Sequence, residues 1–328
     1  MTNKINLLLA TPSLNCVGNY QKSLWEHYFN IVSWEQDKKY NSADTVLMVD
    51  YVNYKNYQDY GLKVVVDHLW DSAVDQPCQI QNNELTLRSA DWIWIVESWM
   101  GHARGYNIPR GIDNPKKFFL MPMYLRRNHR DQLLERVNDY LGQSLWSYVE
   151  KGHLLPGDAY SRHEPGQPLL PGPGRVDDRK YLPEWYADTC FSLVSETAVE
   201  TDQMGLGIGA QKIFISEKSF KPLAFQHPFV IQGTKNTLAF LQSRGFETFR
   251  TVIDESYDTF DTADLRLDAI DQILKDLYRE YQSHGSVFQT PEVQKILQHN
   301  CQRFWDKNIV HELFKKQIVD VITEFVES

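Results

Sequence analysis

The segment from Phe191 to Phe249 alternates short apolar runs with charged residues placed where the runs stop. Phe191 to Val194 leads into Glu196, and Lys212 to Ile215 leads into Glu217. Lys218 and Lys221 then fall in the first turns of a predicted helix, and the apolar run His227 to Ile231 closes at Gly233. Strand, charged helix start, strand and turn describe a crossover in an open α/β sheet. Ligands of such sheets sit beyond the carboxyl ends of the strands. Helix-start amides with lysines beside them suit a diphosphate there.

The same pattern extends toward the N-terminus. Leu7 to Ala10, Thr45 to Val49, Lys63 to Val66, Trp92 to Val96 and Lys117 to Met121 read as short buried strands. Three of these runs finish on polar residues, at Asp50, at Asp67-His68 and at Glu97. Short apolar strands spaced by longer segments favour a mostly parallel sheet over hairpins. Helices are predicted over Tyr20 to Val32, Tyr124 to Leu141, Leu265 to Tyr281, Pro291 to Phe304 and Ile309 to Val326. Gly152 to Pro183 is dense in proline and glycine, which excludes a regular element. It is either a linker or a long loop over a cleft. A chain of 328 residues accommodates two domains with separate cores.

Ser216-Glu-Lys-Ser-Phe-Lys-Pro222, His227-Pro-Phe229 and Leu241 to Phe249, with Gly245-Phe246 and Thr248-Phe249, follow one another. This succession resembles a group of phage and bacterial glycosyltransferase-like proteins. Glu196 followed by Ile215 to Lys221 is similar to the nucleotide-binding region of α1,3-fucosyltransferases. The resemblance covers about half the chain, none of it before residue 115, and departs at Phe225-Gln226-His227, where many nucleotide-sugar enzymes have Ala-Gly and a small residue. It implies the GT-B architecture, two Rossmann-like α/β domains facing across a cleft. Residues 1–150 would form the acceptor-side domain, 151–184 the linker or cleft loop, and 185–308 the nucleotide-sugar-binding domain. Residues 309–328 would form a terminal helix that packs either on the first domain or on its own. The implied activity moves a sugar from a nucleoside diphosphate donor to an acceptor hydroxyl, on a saccharide or on a modified base in phage DNA. Nine tryptophans and seventeen tyrosines supply stacking faces for either acceptor.

Sugar transfer requires stabilisation of the departing diphosphate, by a divalent metal or by fixed cations and amides. The sequence contains no Asp-x-Asp motif and no His/Asp/Cys cluster at metal-ligand spacing, which points to metal-independent transfer with no cofactor beyond the donor. Lys218 and Lys221 lie on one helix face and are candidate phosphate ligands. So are Arg126 and Arg130, from the cluster Arg126-Arg-Asn-His-Arg130 between a strand and a helix. Positive charge at a helix amino end is unfavourable by a few tenths to about 1 kcal/mol, so arginines concentrated there call for an anionic partner. Glu196 and Glu217 can accept paired hydroxyls of the donor's ribose or sugar, and Glu217 can equally pair with Lys221. An inverting transfer also needs a general base. Asp67, His68 and Glu97 are the candidates, with Asp50 next, and each can instead be a helix cap or a buried hydrogen-bond partner. Gly205 to Gly209 lacks the dinucleotide fingerprint and reads as a lid-like loop. The acidic run Asp254 to Asp258 does not follow the EF-hand spacing and reads as structural or cleft-lining.

A net charge of −9 opposes duplex DNA unless Arg126 to Arg130 joins Arg162, Arg175, Arg179 and Lys180 in one strip. Four scattered cysteines argue against a disulfide framework or zinc site, and the apolar runs fall short of a membrane span. A cytoplasmic protein is expected. The rival reading is a non-catalytic binding or assembly protein on a degenerate GT-B fold.

Overall fold

A computed structural model describes residues 4–9, 19–33, 45–50, 62–67, 78–81, 83–87, 89, 91–104, 115–155, 183–200 and 213–328, whose strands form two sheets. The chain divides into Met1–Tyr106 with Asp306–Ser328 as one unit, and Asn107–Trp305 as the other.

In the first unit, β1 (Asn6–Leu9), α1 (Asn19–Tyr28), β2 (Asn30–Ser33), β3 (Thr45–Asp50), β4 (Lys63–Asp67), β5 (Gln79–Gln81), β6 (Glu84–Leu87) and α2 (Trp92–Arg104) follow in order. The sheet runs β2-β1-β3-β4-β6-β5, parallel throughout except for the β5–β6 pair. Leu7, Leu8, Val46, Leu47 and Val65 are fully buried, so adjacent residues that point to opposite faces are both covered.

Two sequence expectations are corrected here. Trp92 to Val96 is the start of α2 and not a strand, because the apolar run continues through Met100 as a helix buried on nearly every side. A short apolar run does not distinguish these cases by itself. Glu97 therefore sits inside a helix and not at a strand end. The stretch Tyr20 to Val32 divides after Tyr28, and Ile31 and Val32 enter β2 beside Leu7 and Leu8. Their β-branched side chains fit a pleated surface better than a helix.

The second unit contains β7 (Lys117–Met123), α3 (Asn128–Arg136), β8 (Leu145–Tyr148), α4 (Pro183–Ala187), β9 (Thr189–Ser195), α5 (Glu217–Ala224), β10 (Phe229–Gln232), α6 (Thr237–Ser243), α7 (Ala263–His284) and α8 (Pro291–Trp305). Its four strands are all parallel in the order β10-β9-β7-β8. The chain winds from β7 to β8 on one side, then crosses to β9 and β10 on the other. This doubly wound order places a switch point between β7 and β9, and β2-β1-β3-β4 repeats it in the first sheet. The α/β expectation with mostly parallel sheets is met. Phe118 and Phe191 meet edge to face at 5.3 Å, and Phe229 and Phe249 do so at 4.9 Å. All four rings are buried, each contributing about 1.5–3 kcal/mol.

The pairing of β7 with β9 moves the domain boundary from 150 to 106/107, since β7 is an inner strand of the second sheet. Lys212 to Ile215 is not a strand of that sheet over its described residues. Side-chain acceptors take Phe214 N, which donates to Thr234 Oγ1, and just after the run Ser216 N, which donates to Glu196 Oε1, each at 3.0 Å. The helix expected from Tyr124 shortens to α3, followed by a 3-10 segment at Asn138–Gln143.

The chain then returns to the first unit as α9 (Lys307–Phe314), a π-helical turn at Lys315–Val319, and α10 (Asp320–Glu327). Phe314 packs edge-on to Trp25 at 5.1 Å, and Lys63 Nζ donates to the Phe325 and Val326 carbonyls at 2.7 and 3.0 Å. Among the described residues no helix is long and apolar enough to cross a membrane. Cys190 and Cys301 are buried free thiols.

Candidate functional site

At the carboxyl ends of β7 and β9, the second unit holds a cavity of about 370 Å³. Met123 and Leu125 at the end of β7, Ser195 and Thr197 at the end of β9, and Glu217, Lys218 and Lys221 of α5 all line it. Arg130 reaches it from α3, so three cations and one carboxylate converge on the switch point.

The start of α5 is set by Glu196. Its carboxylate is fully buried and accepts four hydrogen bonds: Ser216 N at 3.0 Å, Ser216 Oγ at 2.5 Å, Ser219 Oγ at 2.6 Å and Thr197 N at 3.2 Å. Two carboxylate oxygens offer about four acceptor positions. The bonds join the end of β9 to the first turn of α5, where Ser216 is the N-cap. Glu196 does not line the cavity, and its acceptor capacity is used within the protein. The structure thus places it beneath the site as an anchor.

Lys218 and Lys221 share the cavity-facing side of α5, in keeping with their helical spacing. Lys218 Nζ donates to Thr197 Oγ1 and Ser216 Oγ, both at 3.1 Å, and pairs with Glu217 at 3.3 Å. That salt bridge turns Glu217 toward its neighbour while leaving it on the cavity wall.

Arg130 is the structural centre of the former arginine cluster. Its Nη1 donates to Leu125 O at 2.7 Å, and Nη2 donates to Ser195 O and Glu196 O at 3.3 and 3.2 Å. One guanidinium therefore bridges the ends of β7 and β9. Arg130 is 2% exposed, and burial lowers its pKa against the opposing pull of Glu196. Its Nε has no hydrogen-bond partner among the described residues. Arg126 is turned away: exposed, it pairs with Asp131 at 2.9 Å and does not line the cavity. Asp131 also accepts from Lys151 at 2.6 Å and Tyr148 at 3.0 Å, and these partners lower its pKa to about 2.

Two buried histidines complete the frame. His129 Nε2 lies 3.0 Å from Glu196 O, and His227 Nε2 lies 2.9 Å from Thr189 O. A carbonyl only accepts, so Nε2 carries the proton in both rings. Burial lowers both pKa values to about 4, leaving each ring neutral at neutral pH. Gln232 ties these parts together, accepting from Ser195 Oγ at 2.8 Å and donating to His129 O at 3.2 Å. Beyond β9 and β10, buried Arg266 donates to the carbonyls of Val199, Gly233 and Phe260 and so fixes the following loops.

The remaining expected residues lie elsewhere or outside the description. Asp67 closes β4 in register with Asp50, and Glu97 is in α2, both within the first unit. His68, Gly205 to Gly209, Arg162, Arg175, Arg179 and Lys180 lie outside the described residues. In the acidic run, Asp254 caps a short 3-10 helix, Glu255 accepts from Thr248 and Phe249, and Asp258 accepts from Leu238 N and Ala239 N. These carboxylates have structural work. Gln226 adopts a φ of 51°, the left-handed turn that glycine takes without strain.

Sequence reasoning missed Ser192, His227, Trp185 and Tyr186, of which all but His227 line the cavity. The available signals were a serine inside an otherwise apolar strand and a histidine at the mouth of another. No protein-family model and no curated protein matches this chain.

Proposed function

We propose that the second unit binds a nucleoside diphosphate sugar in this cavity, and that the protein transfers the sugar to an acceptor hydroxyl. The supporting observation is the convergence of Arg130, Lys218 and Lys221 on the switch point of a parallel doubly wound sheet. There, fixed cations can neutralise a departing diphosphate without reorganising. Glu217, on the same wall, is suited to a donor hydroxyl. Under a GT-B reading the first unit contributes the acceptor side, with Asp67, which closes β4, or His68, next in sequence, proposed as the general base for a saccharide or a modified base in DNA. The proposed transfer is metal-independent, because the cations of the cavity take the role a divalent ion would fill.

Calorimetric titration with UDP, GDP, ADP and CDP, with and without magnesium, tests the donor site. Saturable binding of one nucleotide without magnesium supports it. Absence of binding by all four in either condition refutes it and favours the degenerate binding protein. Product analysis with the matching sugar nucleotide and a hydroxylated acceptor then tests transfer.

A further inference from the structure

Ser192 lies three residues before the end of β9, roughly 10 Å along the strand from Ser195, whose carbonyl Arg130 holds. It lines the same cavity as Trp185 and Tyr186 of α4, and the Tyr186 ring stands edge-on to His227 at 5.3 Å. Ser192 Oγ is 2.8 Å from His227 Nδ1. Because Nε2 donates to Thr189 O at 2.9 Å, Nδ1 holds a lone pair and only accepts. Ser192 is therefore the donor in this pair. A hydroxyl has one proton, so with that proton directed at His227 the oxygen turns only lone pairs toward the cavity. Burial of His227 keeps its ring neutral and maintains this polarity at neutral pH.

We propose that Ser192 is an acceptor of fixed polarity that reads an N–H group on the edge of the nucleobase of the bound nucleoside diphosphate. This rests on the donor-site reading above. The cations hold the diphosphate at one end of the cavity, and roughly 10 Å farther along β9 is within the reach of the attached nucleoside. Trp185 on the cavity wall supplies aromatic surface suited to a planar ring, while the buried Tyr186 ring is stacked on Phe225 at 4.7 Å. A sugar hydroxyl can rotate to donate or accept and is poorly discriminated by a fixed acceptor, whereas an N–H on the base edge can only donate. Selection by Ser192 is therefore strongest against a base that lacks this proton.

The test is calorimetry on the full chain with the best-binding nucleoside diphosphate, its analogue methylated to remove the base-edge N–H (at the ring nitrogen of UDP or GDP, doubly at the exocyclic amine of ADP or CDP), and inorganic pyrophosphate. Ser192→Ala should weaken nucleotide binding roughly tenfold while leaving pyrophosphate affinity unchanged, which also shows that the variant is folded. The methylated analogue should show the same loss on the wild-type protein and little further loss on the variant. Unchanged nucleotide affinity in Ser192→Ala, or equal wild-type affinity for the methylated analogue, overturns the proposal. Wild-type binding of pyrophosphate but of no nucleotide overturns the base contact and leaves the cation site standing. Binding of neither overturns the donor-site reading as well.

Discussion

Replacing Glu196 tests how the start of α5 is held. In Glu196→Ala, four donors lose their acceptor together: two backbone amides, of Thr197 and Ser216, and two hydroxyls, of Ser216 and Ser219. The hydroxyls can rotate toward other acceptors, but the amides are fixed by the chain. Each buried amide left unsatisfied costs about 1–3 kcal/mol, and the emptied side-chain volume adds to this, so a loss of roughly 3–5 kcal/mol is expected. For a unit of this size that corresponds to a fall in Tm of roughly 6–20 °C. Glu196→Gln keeps one accepting oxygen but turns an NH2 group toward two of the donors. The Ser216 hydroxyl can reverse, the amide on that side cannot, and the cost falls to roughly 1–3 kcal/mol. Thermal unfolding followed by circular dichroism should rank wild type, Gln and Ala in descending stability, and pyrophosphate affinity should fall in the same order as Lys218 and Lys221 lose their support. Two variants within about 0.5 kcal/mol of wild type would refute the anchoring role, since that is the scatter of an ordinary surface change.

Further consequences can be measured independently. Lys221→Ala should reduce pyrophosphate affinity in calorimetry without lowering Tm, and the wild-type affinity should fall with added salt. Arg130→Ala should reduce both, because Leu125, Ser195 and Glu196 carbonyls lose a buried donor; unchanged pyrophosphate binding in both variants would remove the cation site. The folded pKa values of His129 and His227, about 4, lie below the ordinary 6.5, so the unfolded chain binds more protons between these limits. Their contribution to stability is complete above about pH 6.5 and declines as pH falls toward 4, by about 2 kcal/mol each between pH 7 and 5. Proton NMR of the imidazole rings should show both neutral at pH 5.5, and a midpoint near 6.5 for either would contradict its burial. Asp258→Ala removes the acceptor for Leu238 N and Ala239 N at the start of α6 and should cost about 1–2 kcal/mol in urea unfolding.

The parts of the site legible in the sequence were those governed by local geometry. Lys218 and Lys221 fall on one face because helical spacing demands it, and both line the cavity. Arg130 was legible as an arginine at a strand-to-helix turn, but its partners at Leu125, Ser195 and Glu196 depend on β9 lying next to β7. Arg126 shares the same local signal and pairs at the surface with Asp131. Glu196 shows the limit most directly. A glutamate at a strand end reads the same whether it faces a ligand or is buried among Ser216, Ser219 and Thr197, and only the packed structure separates these cases.

The sequence by itself determined most of the short buried strands, the parallel character of the sheets, and the charged start of α5. These follow from hydrophobic period, capping chemistry and side-chain spacing, all of which act over a few residues. Tertiary structure decided that Trp92 to Val96 is helical, that β7 belongs beside β9, and that Asp306–Ser328 returns to the first unit. It also decided the polarity of Ser192, through a histidine distant in sequence. Each of these depends on which surfaces exclude water from one another, and that is a property of the assembled layers and not of any single segment.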